Sequence, residues 1–371
     1  MAVAAPPRTA GAAVERLDVA AYTIPTDRPE SDGTLEWDAT TMVAVEVHAG
    51  GETGLGYTYA DVAAAQLVSS KLRDVVEGRD AMAVPAAWEA MVRSIRNLGR
   101  PGLCSMAIAA VDIALWDVKA RLLELPLVTL LGAARREVPV YGSGGFTSYS
   151  LAELREQLAG WVDRGMTAVK MKVGRDADAD RRRVAAARKA IGLAAELFVD
   201  ANGAYTRKQA LEMAEAFREQ RVSWFEEPVS SDDLAGLRLV RDRAPAGMQV
   251  AAGEYGFDVA YFERMVDAGA VDVLQADVTR CAGITELLRV GPLCRARSLP
   301  LSGHTAPAVH VHPLCAIQQT AHLEYFHDHA RIESMLLDGA PEPEGGALRP
   351  DLSRPGHGLE LKRADAERYA A

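Results

Sequence analysis

The strongest constraint on the fold of this chain is a pattern that recurs eight times from residue 138 onward. Each recurrence is a short apolar run followed by a segment with helical periodicity, and each unit takes roughly 20 to 30 residues, the length of one strand plus one helix. The apolar runs occupy residues 138–141, 168–173, 197–200, 222–226, 249–253, 271–277, 299–302 and 322–326. Eight such units predict an α/β fold of the (β/α)₈ barrel type, with the chemistry at the carboxyl ends of the strands. An open doubly wound sheet is the alternative that the same alternation can build.

The residues before the repeat follow a different pattern. Residues 17–24 and 41–48 alternate like half-buried strands, with Val43, Val45 and Val47 on one face. Segment 25–38 is rich in Pro, Asp and Gly and is predicted to be a long loop, and the glycine-dense segment 49–57 is predicted to be the turn of a small meander. Helical periodicity extends from residue 61 to residue 123 and is strongest over 105–119.

These patterns divide the chain into three parts. We predict an N-terminal α+β capping domain over residues 1–132, of which 1–16 form a flexible tail, and a catalytic barrel over residues 133–348. The C-terminal segment 349–371 is expected to return to the cap. The segments 25–38 and 51–59 are expected to cover the mouth of the barrel, with Trp37 and Tyr57 as candidate substrate contacts.

Composition excludes several classes of protein. The chain carries 51 Asp and Glu against 41 Lys and Arg, a net charge of −10, which argues against nucleic-acid binding. No apolar stretch approaches the roughly 20 residues of a membrane-spanning helix. The 4 cysteines form no CxxC pair, which is typical of buried thiols in a reducing cytoplasm. We therefore expect a cytoplasmic protein with no nucleic-acid or membrane partner. A homo-oligomer that acts on a small-molecule carboxylate is a further expectation, which composition does not supply.

Nearly every apolar run ends in a polar or charged residue, which a buried strand should avoid. In chain order these are Lys170 and Lys172, Asp200 with Asn202, Glu226 and Glu227, Glu254, Asp277, His304 and Glu324. Any one of them alone is best explained as a solvated loop charge. Chance would scatter such residues between strand starts and strand ends, however, and in a barrel these positions converge on one mouth.

Three carboxylates, those of Asp200, Glu226 and Glu254, end three consecutive runs. On adjacent strands they would repel one another unless a cation lay among them. Ligands that are all oxygen select a hard ion, and a small number of them favours Mg²⁺ over Ca²⁺. Glu227 follows Glu226 directly and must face the other way on a strand, so only one of the pair can be a ligand.

Two further pairs suggest proton transfer. Lys170 and Lys172 share a strand face, and each disfavours the charge of the other, so that one can become neutral and act as a base. A pair of anion-binding cations is the alternative, and both can hold, with Lys170 binding and Lys172 transferring the proton. Asp277 and His304 end neighbouring runs, an arrangement that fixes the tautomer of the imidazole and raises its basicity.

The other histidines carry less information. His48, His310, His312 and His357 are predicted to be structural, and His322, His327 and His329 are left open.

The order and spacing of these motifs resemble the enolase superfamily, specifically its mandelate racemase and muconate lactonizing enzyme family. The resemblance covers nearly the whole chain. It rests on ALWD at 114–117, LLG at 130–132, KMK at 170–172, DAN at 200–202, WFEEP at 224–228, GE at 253–254, Asp277 before AG at 282–283, and SGH at 302–304. Ala282 departs from the family, which usually has a glycine there.

The resemblance implies a site. Asp200, Glu226 and Glu254 would bind one Mg²⁺ per subunit, while Lys172 and the His304–Asp277 dyad would be the two acid/base groups. Lys170 would contact the substrate carboxylate, Glu324 would lie near its other oxygen, and Asn202 would also bind substrate. A lysine combined with a dyad resembles the mandelate racemase subgroup, in which acid-sugar dehydratases are common.

The expected reaction is removal of the proton α to a carboxylate through an enediolate. In an eight-stranded ring Lys172 and His304 would approach the α-carbon from opposite faces, which permits either elimination or inversion. We predict a lyase that dehydrates an acid sugar to a 2-keto-3-deoxy acid. A racemase or epimerase of a 2-hydroxy or amino acid is the alternative, and a barrel that binds acid sugars without turnover is a third class.

Overall fold

In a computed structural model, which describes residues 11–371, the chain begins with an antiparallel sheet in the order β1–β2–β3. The strands are β1 (Val14–Ser31), β2 (Glu36–Ala49) and β3 (Glu52–Tyr59). Val43, Val45 and Val47 are fully buried in a core shared with the helices that follow, as their alternation predicts.

The predicted loop over 25–38 is wrong, because β1 and β2 continue through it as a long hairpin. The strands pair from Val14 to Ser31, with a register shift between Pro25 and Glu30. The prolines are tolerated because β1 is an edge strand and needs no further backbone donor. The true turn is short: the Oδ1 atom of Asp32 accepts hydrogen bonds from the backbone N–H of Thr34 (2.6 Å) and Leu35 (2.7 Å).

The predicted turn over 49–57 is also wrong for most of its length, since β3 begins at Glu52. Its glycines are present because a helix backbone packs against them. A Cβ atom at Gly54 would lie 2.2 Å from the carbonyl oxygen of Ala114, and one at Gly56 would lie 2.1 Å from that of Ala110. Glycine density here marks a close approach of strand and helix rather than a turn.

The predicted tail over 1–16 lies partly outside the described residues, and its end is ordered. Val14 is the first residue of β1, is buried, and donates its N–H to the carbonyl of Arg79 at 2.8 Å. Residues 14–16 therefore belong to the sheet.

Helices complete the first half of the chain. They are α1 (Ala63–Leu67), which runs through a π-helical segment (Val68–Leu72) into α2 (Arg73–Val76), then α3 (Val84–Ser94), α4 (Leu103–Leu122) and α5 (Leu127–Leu131). Helix α4 contains the segment 105–119 whose periodicity is strongest, and it is buried on nearly all sides between the sheet and the second half of the chain.

Eight parallel strands form the second half. They are β4 (Val138–Gly144), β5 (Ala168–Lys172), β6 (Glu196–Asp200), β7 (Val222–Glu226), β8 (Gln249–Ala252), β9 (Val273–Ala276), β10 (Leu301–Gly303) and β11 (Thr320–Phe326). Each strand pairs with the next, and β11 pairs with β4, with Leu323 opposite Val140. The ring is closed, so the predicted barrel is confirmed and the open sheet is excluded.

A helix follows every barrel strand. They are α6 (Leu151–Asp163), α7 (Ala177–Ile191), α8 (Arg207–Arg218), α9 (Leu234–Arg243), α10 (Val259–Asp267), α11 (Ile284–Ala296), α12 (Pro307–Ala316) and α13 (His327–Leu336). Side-chain caps set where several of them begin: Ser150 with Glu153 and Thr206 with Gln209 form capping boxes, each contributing about 1 kcal/mol.

The last residues contact the first sheet. The short elements are β12 (Leu337–Asp338), β13 (Ala347–Leu348), β14 (Glu360–Leu361), α14 (Arg363–Ala366) and a 3₁₀ turn (Glu367–Tyr369). Arg363 pairs with Glu46 at 2.5 Å, and the N–H of Ala371 donates to the carbonyl of Ala21 at 3.0 Å. Among the helices from residue 11 to the C-terminus, none is both long enough and apolar enough to cross a membrane.

Candidate active site

Three buried carboxylates meet at the carboxyl ends of neighbouring strands. Asp200 and Glu226 are the last residues of β6 and β7, and Glu254 follows β8. One oxygen from each lies within 4.8 Å of the others. Glu227 turns away, with φ +41°, and its Oε1 atom accepts the N–H of Gly253 at 3.4 Å. The structure therefore brings together the three residues predicted from their spacing.

This cluster has the donor set of a site for a hard divalent cation. Burial and the charge of Asp200 raise the pKa of Glu226 to about 8, which reflects the crowding of like charges. The buried Oε2 atom of Glu254 has no hydrogen-bond partner, although His304 Nε2 lies 3.2 Å away. The site offers carboxylate oxygens alone, and the Oε2 atom of Glu254 accepts no hydrogen bond. Such a ligand set fits Mg²⁺ better than a transition metal.

The two lysines of β5 contact these carboxylates directly. Lys172 Nζ lies 2.5 Å from Asp200 Oδ2, and Lys170 pairs with Glu226 and with Glu324 Oε1 at 2.8 Å. Burial opposes the charge of Lys172, but Asp200 outweighs it and holds the pKa of Lys172 above its ordinary value. The pKa of Lys170 is raised for the same reason, by Glu226 and Glu324 against burial. The expectation that one lysine becomes neutral stays a prediction, because a cation that took Asp200 as a ligand would remove the partner that favours the charge of Lys172.

The predicted His304–Asp277 pair is a formed hydrogen bond. His304 Nδ1 lies 2.8 Å from Asp277 Oδ2, and Asp277 Oδ1 accepts from the N–H and hydroxyl of Thr279, both at 2.7 Å. Burial opposes the charge of His304, but Glu254, Glu324 and Asp277 raise its pKa to about 10. The imidazole is thus fixed with Nε2 directed to the carboxylates and available as a proton donor.

A cavity of about 410 Å³ opens beside these groups, between the barrel mouth and the first sheet. Of the residues predicted from sequence, Lys172, Asn202, Glu254, His304, Glu324 and Trp37 line it. Asp200, Glu226 and Asp277 are fully buried behind this surface. Lys170 is also fully buried, among three carboxylates, and it is not one of the residues that line the cavity, so its contact with a substrate stays a prediction.

Tyr57 is the clearest correction. It is fully buried, and its hydroxyl donates to Glu333 Oε1 at 2.6 Å, a contact between the first sheet and α13. Tyr59, two residues further on the same strand, lines the cavity instead. From this part of the chain, Tyr59 and the two residues after it, Ala60 and Asp61, therefore reach the cavity.

Replacing Tyr57 with Phe should therefore lower stability and leave catalysis unchanged. The substitution leaves Glu333 Oε1 without its donor in a buried site, which costs about 1–3 kcal/mol in the free energy of unfolding. Urea denaturation measures the loss, and kcat and KM should stay within twofold of wild type. An increased KM with unaltered stability would restore Tyr57 to the substrate site.

Several lining residues were not predicted. Arg280 lies three residues after Asp277, its Nη1 atom is 3.4 Å from Glu254 Oε1, and it lies over the ring of Tyr255. His329 stacks on Tyr59 with 3.5 Å between ring centroids, and burial lowers its pKa to about 3, so it is neutral. The search for polar residues at strand ends could have found Arg280, because it belongs to the same loop as Asp277. The stacking of His329 on Tyr59 could not be predicted without knowing the fold.

The other histidines have structural contacts. His310 and His312 accept backbone N–H groups of Val278 (2.9 Å) and Val128 (3.1 Å). His357 bonds to the carbonyl of Leu55, and His48 to Thr53 and Asp18. His322 packs against Tyr141, Phe198 and Trp224 inside the barrel. Of the three left open, only His329 reaches the cavity.

The geometry agrees with the family to which the chain belongs. Residues 20–132 match the mandelate racemase / muconate lactonizing enzyme N-terminal domain, and residues 153–366 match the enolase C-terminal domain-like family. The chain is therefore a member of the mandelate racemase and muconate lactonizing enzyme family of the enolase superfamily, as its motifs predict.

Three relatives show the range of that family. The chain is 34% identical to 3,6-anhydro-alpha-L-galactonate cycloisomerase of Streptomyces coelicolor, over 94% of this chain and 97% of that one. A mandelate racemase/muconate lactonizing enzyme-like protein from Rubrobacter xylanophilus has 61% identity and a TM-score of 0.95, covering 97% of this chain and all (100%) of that one. L-talarate/galactarate dehydratase of Salmonella typhimurium, solved with Mg and L-lyxarohydroxamate, has 26% identity and a TM-score of 0.89, covering 100% and 96%.

Proposed function

We propose that this protein is a Mg²⁺-dependent lyase that removes the proton α to the carboxylate of a sugar acid and expels the oxygen on the next carbon. The product from an ordinary acid sugar is a 2-keto-3-deoxy acid. One observation carries the proposal: Lys172 and His304 line the same cavity, beside a triad of carboxylates, and the buried Asp277 is bonded to His304 Nδ1. The relatives that carry out dehydration and cycloisomerisation support it.

Each group in the site has a separate role in the proposed reaction. Asp200, Glu226 and Glu254 would hold the cation, which would supply positive charge to stabilise the negative charge that develops on the substrate carboxylate. Lys172, as the free amine, takes the proton from carbon 2, and the electrons of that C–H bond form the enediolate. His304 Nε2–H donates its proton to the departing 3-hydroxyl, the C3–O bond breaks, water leaves, and the resulting enol tautomerises to the keto acid.

Asp277 acts through His304. Its hydrogen bond to Nδ1 fixes the imidazole so that Nε2 faces the cavity, and its charge stabilises the imidazolium. Glu324 Oε2 lies 3.7 Å from His304 Nε2, and its negative charge also favours the protonated imidazole. Lys170 forms ion pairs with Glu324 and Glu226, and its positive charge holds these two carboxylates in position.

The walls of the cavity favour a neutral polyol as the far end of the substrate. The first sheet contributes Asp32, Thr40, Thr41 and Asp61 to the lining, which are hydrogen-bonding or acidic groups. Within the described chain the only lysine or arginine of this lining besides Lys172 is Arg280, which lies beside Glu254 and Asp277. A second carboxylate at the far end would find no free cation, so we expect aldonic acids to be preferred over aldaric acids.

Cycloisomerisation is the second candidate, because the relative with 34% identity across 94% of the chain is a 3,6-anhydro-sugar cycloisomerase. In a 3,6-anhydro sugar acid the oxygen on carbon 3 belongs to a ring. The same elimination would then open the ring and release no water. The residues required are the same, and only the leaving group differs.

A substrate panel tests the proposal. Protein loaded with Mg²⁺ is incubated with aldonic, aldaric and 3,6-anhydro-aldonic acids, and 2-keto acids are measured with a carbonyl reagent and by mass. A keto product lighter by one water identifies dehydration, and one of unchanged mass identifies cycloisomerisation. Epimerisation at carbon 2 with no keto acid from any substrate would contradict elimination and favour a racemase or epimerase.

A further inference from the structure

A second cluster of metal-binding side chains lies outside the catalytic site. Asp27 and Glu30 on the β1–β2 hairpin and His327 at the start of α13 each offer a ligand atom within 4.8 Å of the others. Asp27 lies in the register shift of β1, and His327 directly follows the last residue of β11. The cluster thus joins the hairpin to the barrel.

Glu30 is the feature that distinguishes this cluster from a surface ion pair. Its side chain is fully buried, its Oε2 atom accepts the indole N–H of Trp37 at 2.9 Å, and its Oε1 atom has no hydrogen-bond partner. Burial, with the charges of Asp328 and Asp27, raises its pKa to about 9. A buried carboxylate without a compensating cation is costly, so this one requires either a proton or a cation.

The other two residues supply what a divalent cation needs. His327 Nε2 and Asp27 Oδ2 are 3.0 Å apart, and both side chains are partly exposed, so an ion can enter from solvent. One imidazole nitrogen with two carboxylates is a ligand set typical of Zn²⁺ rather than of Mg²⁺, which prefers oxygen alone.

We propose that Asp27, Glu30 and His327 form a second divalent-cation site, selective for a borderline transition metal such as Zn²⁺, that fastens the β1–β2 hairpin to the barrel. Trp37, the hydrogen-bond partner of Glu30, lines the active-site cavity and contacts Phe146 edge-on with ring centroids 5.7 Å apart. An ion at this site would hold that wall of the cavity in place. The site is independent of the reaction proposed above.

A third cluster provides the matched control. Asp18, Glu46 and His48 are also within 4.8 Å of one another. Their groups are already paired, however: Glu46 with Arg363, Asp18 with Arg16, and His48 Nδ1 with the hydroxyl of Thr53. No ligand is needed to satisfy them, so this cluster should not bind the ion.

The test is equilibrium dialysis of the Mg²⁺-loaded protein against low-micromolar Zn²⁺ with millimolar Mg²⁺ present, followed by elemental mass spectrometry. The wild type should retain one Zn²⁺ per chain beyond any held by His327→Gln, Glu30→Gln or Asp27→Asn, and His48→Gln should match the wild type. We expect at least a tenfold loss of Zn²⁺ affinity in His327→Gln. Circular dichroism and thermal melting confirm that each variant is folded.

A second readout locates the ion. Zn²⁺ should slow hydrogen exchange of the hairpin peptide over residues 26–36 by at least fivefold in wild type and His48→Gln, and not in His327→Gln. Equal Zn²⁺ content in wild type and His327→Gln would place any bound ion elsewhere and overturn the proposal. Absence of Zn²⁺ binding to the wild type, or its loss in His48→Gln alone, would overturn it equally.

Discussion

Replacing Asp200 with Asn or Glu254 with Gln is expected to reduce kcat by at least about 10³-fold, equivalent to about 4 kcal/mol of transition-state stabilisation. Each change removes one negative charge from the buried triad and so weakens its hold on the cation. Steady-state kinetics should show the loss of kcat, and titration calorimetry should show a loss of Mg²⁺ affinity in the same variants. The fold should persist, because both side chains lie at strand ends rather than in the apolar core.

Glu196→Gln is the matched control for this prediction. Glu196 is the first residue of β6, exposed at the other end of the strand that carries Asp200, and it accepts the hydroxyl of Ser223 at 2.9 Å. It should keep wild-type activity and Mg²⁺ affinity. Wild-type kcat in Asp200→Asn or Glu254→Gln would show that the triad is not the metal site.

Replacing Lys172 and His304 separately should leave each variant able to exchange the carbon-2 hydrogen on only one face of the α-carbon. Because Lys172 on β5 and His304 after β10 lie on opposite sides of the ring, each can reach only one face of the α-carbon. Lys172→Ala should lose at least about 10³-fold in turnover and retain only exchange on the His304 face. His304→Asn should lose elimination and retain exchange on the Lys172 face.

Nuclear magnetic resonance in deuterated water measures this exchange with epimeric pairs of the substrate. Lys208→Ala, on the surface of α8, and His48→Asn, in the first sheet, serve as the lysine and histidine controls and should behave as wild type. Exchange of both epimers at wild-type rates in either active-site variant would show that the two groups do not act from opposite faces.

The barrel and its site could be predicted from the sequence because both follow local rules. A buried parallel strand is a short apolar run, and a polar residue at its end is out of place unless it has a use, so the order of Lys172, Asp200, Glu226 and Glu254 along the chain already gave their order around the mouth. The His304–Asp277 pair followed from the same spacing.

The first sheet was harder to predict because tertiary contacts override its local signals. The prolines of β1 mark an edge strand, and Gly54 and Gly56 mark the close approach of α4. From the sequence alone, however, prolines and glycines in these segments predict a loop or a turn. The misplacement of Tyr57 has the same origin. Once β3 is a strand, Tyr57 packs against α13 while Tyr59 reaches the cavity at the strand's end.

Ala282 shows how a departure from the family can be accommodated. It adopts φ +66°, a left-handed conformation that costs a non-glycine residue about 1–2 kcal/mol. Its carbonyl accepts the indole N–H of Trp88 at 2.8 Å, and at the next residue, Gly283, a Cβ atom would lie 2.4 Å from Asp112 Oδ2. Of positions 282 and 283, only the second therefore requires glycine. The His304–Asp277 hydrogen bond forms with alanine at position 282.

The proposed function requires that these residues abstract a proton α to a carboxylate with the help of Mg²⁺. Its most direct measurement is exchange of the carbon-2 hydrogen of a sugar acid in deuterated water, followed by magnetic resonance while Mg²⁺ is titrated into chelated wild-type protein. We expect no exchange without the metal and full exchange at one Mg²⁺ per chain, on the same substrates that yield 2-keto acids. Binding of a sugar acid by the Mg²⁺-loaded protein with no exchange on any member of the panel would contradict it and identify a binding protein.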